Sequence, residues 1–219
     1  MNLAFELIKK ARECGADSVK FQLYDAHALF PRQGNKWFDY NCQTELTKKQ
    51  VEMLAEECSR IGIDFFVSVF DLERIAWMEE LGVKRYKIAS RSVNDKALIS
   101  ALENTGKPLL ISLGMWQEKH FPDIRTSASV DWLYCVSKYP TPLQDVHLRS
   151  VDFSVYSGFS DHTIGLTAAQ AALARGARII EKHFTLDKEL FGPDHSCSMS
   201  PEELLTLARF RDELIECLS

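Results

Sequence analysis

The chain has 219 residues, 46% of them hydrophobic, which is enough to bury a full core in one domain over residues 1–219. The formal net charge of −5, with no basic cluster interleaved with aromatic residues, argues against nucleic acid as a partner. No apolar run reaches membrane-span length, and charged residues interrupt the N-terminal segment, which argues against a membrane anchor and a signal peptide. The six cysteines form no Cys-x-x-Cys pair and indicate reduced thiols, so we expect a cytoplasmic protein.

The first half of the chain predicts helices and strands in alternation. Apolar residues at helical spacing predict a helix over residues 2–14, and strict alternation predicts a strand over 18–24. Residues 25–46 form a predicted loop whose length is typical of functional loops. The remaining predicted elements are a helix at 48–60, a strand at 64–70, a helix at 72–81, a strand at 85–90 and a helix at 95–105, with Gly62, Gly82 and Gly106 closing the three helices.

The second half continues the same pattern. Strands are predicted at 108–114 and 130–137, and the weakly patterned residues 143–155 predict one short helix at most. A strand, a helix and a strand follow through residues 156–185, with the helix at 166–175, and an amphipathic helix is predicted at 201–217. Seven strands alternating with roughly eight helices predict a parallel sheet.

A TIM-type (β/α)₈ barrel explains this alternation best, because polar residues collect where the strands end. The sequence opens on a helix, so the first of the eight strands is missing from it. An open doubly wound sheet is the alternative fold. In a barrel, the missing strand would leave unpaired edges on the strands near residues 18–24 and 178–184. We therefore expect an open barrel, a gap filled by another chain, or a fragment of a longer product.

Two histidines follow neighbouring predicted strands. His162 comes after GFSD and His183 after IIEK, and the strand–helix–strand connection places the two strands side by side and parallel. Glu181 lies two residues before His183 and therefore on the same side of its strand. A single histidine of this kind is more often a polar residue satisfied by the backbone. The pair, with acidic residues close by, indicates a site for a divalent metal of the Mn, Fe or Zn type.

Lysine and hydroxyl side chains recur at the carboxyl ends of successive strands. In a barrel such residues face one opening, where two lysines and a ring of hydroxyls suit a small, multiply charged anion such as a phosphate or phospho-carboxylate. Any one serine more often faces solvent, so the prediction depends on the recurrence. Burying two lysines without an anion would also be costly. The residues are Lys20, Ser68, Lys87, Ser90, Ser112, Ser137, Tyr139 and Ser160, together with Glu181 and the two histidines.

Seven segments of the chain resemble, in this order, the N-acetylneuraminate (sialic acid) synthase family. They are SVKFQ, RYKIAS, ISLGM, YCVSKYPTP, GFSDHTIG, IIEKHFT and GPDHSCSMSPEEL. The resemblance covers essentially the whole chain, and GFSDHT followed by EKHFT and GPDH is highly specific. The family includes the legionaminate and pseudaminate synthases and the spore-coat polysaccharide enzymes.

The resemblance implies a TIM-barrel transferase that condenses phosphoenolpyruvate with an N-acylated hexosamine, such as N-acetylmannosamine, and releases phosphate to form a nonulosonic (sialic-type) acid. It implies that His162 and His183 hold Mn²⁺ or Mg²⁺, which would polarise the sugar aldehyde. Tyr139, Glu181 and Asp194 would face the sugar, and Glu181, Lys87 and Tyr139 are the catalytic candidates, with Glu181 suited to proton transfer. Phosphoenolpyruvate would be held by Lys20, Ser68, Lys87, Ser90, Ser112, Ser137 and Ser160. The expected partners are these small molecules and a second copy in a homodimer.

The chain departs from the family pattern in several places. Family members open with a strand reading roughly AEIGxNHNG, whose glutamate belongs to the active site, and this sequence starts just after it, so we expect the native protein to begin upstream. The family's C-terminal antifreeze-like domain is also absent from the sequence. Within the barrel, VSVFD stands for the usual STPFD, Leu113 replaces a common threonine, and Ser137 stands where some members have asparagine.

Two other classes of function stay open. One is a different phosphoenolpyruvate- or phosphosugar-handling barrel, such as a Schiff-base aldolase, for which Lys87 is the plausible lysine. The other is a non-catalytic or inactive truncated relative that binds a sugar or a phosphate, or only its own kind.

Overall fold

Seven strands form one parallel sheet whose spatial order follows the sequence, in a computed structural model that describes residues 1–219. Each strand pairs in parallel with the next along the chain. This order is that of a barrel wall and differs from a doubly wound sheet, in which the order reverses. The strands are β1 (Ser18–Leu23), β2 (Asp64–Val69), β3 (Tyr86–Ile88), β4 (Leu109–Ser112), β5 (Val130–Cys135), β6 (Gly158–Asp161) and β7 (Ile179–Lys182). The seven predicted strands are confirmed, and the doubly wound alternative is wrong.

Eight helices connect or follow the strands. They are α1 (Asn2–Glu13), α2 (Ala26–Leu29), α3 (Phe38–Thr44), α4 (Lys48–Ile61), α5 (Leu72–Leu81), α6 (Lys96–Asn104), α7 (Thr167–Ala174) and α8 (Pro201–Leu218). The predicted loop 25–46 is wrong in part, since it contains α2 and α3. Residues 143–155 contain two short 3₁₀ turns in place of one helix. None of the helices combines the length and the apolar character that crossing a membrane requires.

Local sequence signals fix where the longer helices begin and end. Thr47 and Gln50 form a reciprocal capping box at the start of α4, and Ser200 and Glu203 form another at the start of α8. Helix α4 ends at Gly62, which adopts the left-handed conformation that glycine reaches without strain. These caps define the ends of two helices that pack on the outside of the sheet.

The hydrophobic core has an outer and an inner part. Most of it lies between the sheet and the helices, in two clusters of 15 and 11 buried residues. A small inner cluster of Phe66, Leu110 and Leu133, with Ile179 packed against it, fills the concave side of the sheet. Polar side chains at the carboxyl ends of the strands therefore stand above an apolar floor, where water is excluded from below.

The sheet is open between its first and last strands. β1 pairs only with β2, and β7 pairs only with β6. All four residues of β7 are half-buried, whereas all four residues of β6 are buried. The predicted unpaired edges are therefore present, and the sheet is an open half-barrel.

Gly158 of β6 faces the backbone of β7 and should not tolerate a side chain. A Cβ there would lie 2.0 Å from the carbonyl oxygen of Ile179 and 2.7 Å from its Cβ. Because the obstacle is backbone, we expect Gly158→Ala to lower the free energy of unfolding by about 3 kcal/mol, at the upper end of overpacking effects. Urea denaturation measures this loss. Ser100→Ala, at an exposed position of α6, is the control and should change stability by less than about 0.5 kcal/mol. Equal urea midpoints for Gly158→Ala and the wild type would contradict the prediction.

Candidate functional site

The carboxyl ends of the strands surround a cavity of about 700 Å³ that also reaches the gap between β1 and β7. Its walls include residues of β1, β3, β6 and β7, with α1 and α8 on the outer side. Most of the residues selected from the sequence line it. They are Lys20, Ser68, Lys87, Ser90, Ser112, Tyr139, Ser160, His162, Glu181, His183 and Asp194. Ser137 does not line the cavity and lies behind Gly114, where its hydroxyl is buried without a partner.

Glu181 lies between the two lysines of the cavity. Its Oε1 is 3.4 Å from the Nζ of Lys20, and its Oε2 is 3.5 Å from the Nζ of Lys87. Glu181 and Lys20 are each 18% exposed, and Lys87 is only 2% exposed. One carboxylate therefore spans two ammonium groups in a place largely shielded from water, where charges interact strongly.

The pKa values of this group follow from burial and from the paired charges. Burial lowers the pKa of Lys87, and Glu181 offsets part of that effect. Burial alone would raise the pKa of Glu181, but Lys87 and Lys20 outweigh it and hold that pKa well below its usual range. Glu181 is therefore ionised at neutral pH, a state in which it can accept a proton but has none to donate.

The cavity hydroxyls fall into two groups. Ser112 accepts a hydrogen bond from Lys87 Nζ at 2.6 Å and lies 3.4 Å from Glu181, and Ser90 accepts one from the Gly114 amide at 3.1 Å. Ser68 is 1% exposed, and its hydroxyl oxygen has no hydrogen-bond partner. A buried hydroxyl facing a cavity without a partner is a natural contact for a ligand oxygen.

His162 and His183 come together, as the sequence predicts. The pairing of β6 with β7 ends at Asp161 opposite Lys182, and the residue that follows each of these two strands is a histidine. The ring centroids are 5.5 Å apart, and the Tyr139 ring lies 4.1 Å from that of His162. His162 Nδ1 is 3.2 Å from the carbonyl oxygen of Val136. We assign the proton to that nitrogen, because it can only donate to a carbonyl, and this leaves Nε2 free as a ligand.

The histidine pair fits a divalent cation in part. Burial lowers the pKa of His183 to about 4 and also lowers the pKa of His162, so both imidazoles are neutral near pH 7, as metal ligation requires. No cluster of three or more His, Cys, Asp or Glu side chains suited to a metal occurs in the chain. The protein side chains would therefore provide two nitrogen ligands, and water or substrate oxygens would complete the shell, a mixture that suits Mn²⁺.

An ion pair that the sequence reasoning missed lies next to the histidines. Lys182 Nζ is 2.8 Å from Asp161 Oδ2, and both side chains are buried. The other oxygen of Asp161 accepts the Thr163 amide at 2.8 Å, and Lys182 also donates to the Thr163 carbonyl. The pair ties the end of β7 to the end of β6. The sequence did contain a signal for this pair. Asp161 and Lys182 directly precede His162 and His183, so they occupy equivalent positions on two neighbouring strands.

Aromatic residues from two chain segments pack together close in sequence to Asp194. Trp37 and Tyr40 from residues 25–46 contact Phe191, with ring centroids 5.2 and 5.7 Å from it. Phe191 is 74% exposed. Asp194, three residues further on, lines the cavity and raises the pKa of His183 against the larger, opposing effect of burial. The segment that carries Asp194 thus packs against the predicted functional loop.

The low pKa of His183 predicts how stability depends on pH in the absence of divalent metal. The folded-state pKa of about 4 lies below the ordinary value of 6.5, so the folded state binds fewer protons than the unfolded state between these values. We expect the free energy of unfolding to be highest above pH 6.5 and to fall by about 3 kcal/mol as the pH is lowered to 4. Urea denaturation in a chelating buffer measures this dependence.

Two histidine variants complete this test. His183→Asn should remove most of the pH dependence, because the buried imidazole is gone. His147→Asn should leave it unchanged, since His147 is exposed and its left-handed backbone (φ 49°) suits asparagine. The prediction is wrong if His183→Asn keeps the wild-type dependence between pH 4 and 6.5.

Comparison with known proteins finds matches that extend over almost the whole chain. The sequence pattern of the NeuB family matches residues 7–218. The N,N'-diacetyllegionaminic acid synthase of Legionella pneumophila is 34% identical in an alignment of 237 residues that covers 95% of this chain and 67% of that protein. The N-acetylneuraminate-9-phosphate synthase of Drosophila melanogaster is 33% identical over 228 residues, which cover 93% of this chain and 61% of that protein. The chain thus spans about two thirds of the length of these relatives or less.

A solved structure shows the same architecture. The N-acetylneuraminic acid synthetase of Leptospira borgpetersenii, crystallised in complex with citrate, superposes with a TM-score of 0.92 at 30% identity. The match covers 100% of this chain and 80% of that one. The arrangement of strands and helices described above is therefore that of this enzyme over its matched part.

Proposed function

Because the chain belongs to the NeuB family, we propose that it serves in the synthesis of a sialic-type acid, by condensing phosphoenolpyruvate with an N-acylated hexosamine. The observation that carries the proposal is the content of one cavity. Two lysines and an unpartnered hydroxyl lie beside two converging neutral histidines. An enolpyruvyl phosphate needs the cationic and hydroxyl groups, and a sugar aldehyde needs the histidine pair next to them.

The proposed reaction joins two substrates and releases one ion. Carbon 3 of phosphoenolpyruvate forms a bond to the aldehyde carbon of the sugar, and the aldehyde oxygen takes up a proton. Water adds to carbon 2, the bond from carbon 2 to the phosphate oxygen breaks, and a proton is lost as the ketone forms. The products are a 2-keto acid longer by three carbons and inorganic phosphate.

The residues around the cavity divide this work. Lys20, Lys87 and the Ser68 hydroxyl would bind the phosphate and carboxylate oxygens of phosphoenolpyruvate. Tyr139 and Asp194 would contact the sugar from the outer side. Glu181 lies between the two lysines and is ionised, so it is the candidate to accept a proton during the addition of water. The apolar floor beneath them keeps bulk water away from the reacting carbons.

A cation held by His162 and His183 would supply Lewis acidity at the aldehyde oxygen. The chain's own contribution there is orientation. The Val136 carbonyl fixes the His162 ring, and the Asp161–Lys182 pair fixes the strand ends that carry both rings.

Phosphate release tests the proposal directly. We expect the protein to release inorganic phosphate from phosphoenolpyruvate only when an N-acylhexosamine and Mn²⁺ are both present, in an assay with a panel of amino sugars. Lys84→Met, which replaces an exposed lysine, is a control variant and should release phosphate as the wild type does. Absence of release with every sugar would leave a non-catalytic binding protein.

A Schiff-base aldolase is the second candidate, because burial lowers the pKa of Lys87, as an amine nucleophile needs. Borohydride reduction in the presence of a keto acid separates the two functions. A covalent adduct at Lys87 would favour the aldolase. Unmodified Lys87 together with phosphate release would favour condensation.

A further inference from the structure

We propose that Glu181 is the resident counter-ion of the anion pocket and restricts the pocket to ligands that carry more than one negative charge. The inference rests on the proposed function in so far as phosphoenolpyruvate is such a ligand. It concerns selectivity among anions, which can be measured without turnover.

The positions of the charges support this role. The two oxygens of Glu181 lie 3.4 and 3.5 Å from the two lysine nitrogens, so both ammonium groups already face an anion within the protein. The three side chains together carry a charge of +1. The sequence predicts two lysines that await an anion, whereas the folded chain provides one of its own.

An incoming anion must compete with this carboxylate. Ser112 lies within 2.6 Å of Lys87 and 3.4 Å of Glu181, so a ligand oxygen that reaches Lys87 enters the immediate surroundings of Glu181. A monoanion would only replace Glu181 at the lysines and leave a carboxylate buried without its partners, a costly exchange. A ligand with two or more charges has enough oxygens to contact both lysines and the free Ser68 hydroxyl, and its stronger attraction offsets the exchange.

A charge series tests the proposal through binding alone. The probes are acetate, inorganic phosphate, citrate and phosphoenolpyruvate, titrated by calorimetry into metal-free protein at constant ionic strength. We expect the wild type to bind phosphoenolpyruvate and citrate and to show no binding of acetate. Glu181→Gln keeps the shape and raises the charge of the group from +1 to +2. It should bind phosphate at least about tenfold more tightly, because the lysines lose their competitor, and it should begin to bind acetate.

Two further variants separate charge from shape and from loss of folding. Glu181→Asp keeps the negative charge, so its affinity for phosphate should stay within about threefold of the wild type. The double variant Lys20→Met with Glu181→Gln returns the group to +1 with no uncompensated second lysine. The double variant should fold even if Glu181→Gln does not. If Glu181→Gln folds, the double variant should bind phosphate more weakly than Glu181→Gln. If Glu181→Gln is unfolded, the double variant should bind phosphate within about threefold of the wild type.

The outcomes discriminate the inference from the proposed function. Glu181→Gln binding phosphate no more tightly than the wild type, or the double variant failing to fall back to wild-type affinity, would overturn the inference. If the wild type binds none of the four anions, the proposed function fails and the inference fails with it. Wild-type binding of phosphoenolpyruvate with an unchanged Glu181→Gln would leave the proposed function standing alone.

Discussion

Lys87→Met should weaken the binding of phosphoenolpyruvate by about 100-fold or more, because it removes a buried, charge-assisted donor and keeps the length of the side chain. Lys87 is 2% exposed and donates to Ser112 Oγ at 2.6 Å and to the Ile88 carbonyl at 3.0 Å, so its ammonium group is held in one place. Calorimetric titration with phosphoenolpyruvate measures the loss. Metal binding should stay within about threefold of the wild type, since Lys87 is not part of the histidine pair.

The exposed lysine variant Lys84→Met is the control for this experiment, and its affinity for phosphoenolpyruvate should equal that of the wild type. Retention of wild-type affinity in Lys87→Met would show that the anion binds elsewhere. A parallel loss of metal binding would show that the variant had disturbed the whole cavity.

His183→Ala should abolish the dependence of phosphate release on Mn²⁺ and weaken Mn²⁺ binding by about 100-fold. Loss of a residue that only supports a metal ligand costs up to about 100-fold in affinity, and loss of the ligand itself should cost at least as much. The chain has no third side chain clustered with the two histidines that could compensate. Titration with Mn²⁺ followed by electron paramagnetic resonance measures the affinity. Phosphoenolpyruvate should still bind, because Lys20, Lys87 and Glu181 are untouched.

His147→Ala, at an exposed histidine, controls for nonspecific metal binding by imidazoles and should leave the affinity unchanged. Equal Mn²⁺ affinity in His183→Ala and the wild type would remove histidine ligation from the proposal. Together with Lys87→Met, this variant divides the cavity into an anion half and a cation half that fail independently.

The fold was accessible from the sequence because each strand and each longer helix carries its own local signal. Alternation identifies β1, and left-handed glycines such as Gly62 and Gly82 end the helices where the pattern stops. Helices α2 and α3 are short, and apart from the Asp25 cap of α2 they are held by contacts made elsewhere in the chain. The Ala26 amide donates to Glu45, which is also paired with Arg74 of α5. Long-range contacts of this kind leave no periodicity in the local sequence.

The convergence of the site residues could also be predicted, because the ends of consecutive parallel strands meet at one edge of the sheet. The partner of each side chain could not. Strand alternation places Glu181 and His183 on one side, but only the curvature of the sheet brings Glu181 of β7 against Lys20 of β1 and Lys87 of β3. In the same way, Ser137 follows the strand pattern yet turns behind Gly114, out of the cavity.

The one-sided pairing of β7 decides how the site would come apart. This strand carries Glu181 and leads directly into His183. Its backbone pairs only with β6, and its side chains add the Asp161–Lys182 pair and the contacts of Glu181 with Lys20 and Lys87. Local opening starts where the fewest neighbours hold a segment. Fraying of this single strand would withdraw the counter-ion from the lysines and one imidazole from the other in the same event. Amide hydrogens of β7 should therefore exchange with deuterium faster than those of β6, and the capacity to hold an anion and the capacity to hold a cation should vanish together on mild destabilisation.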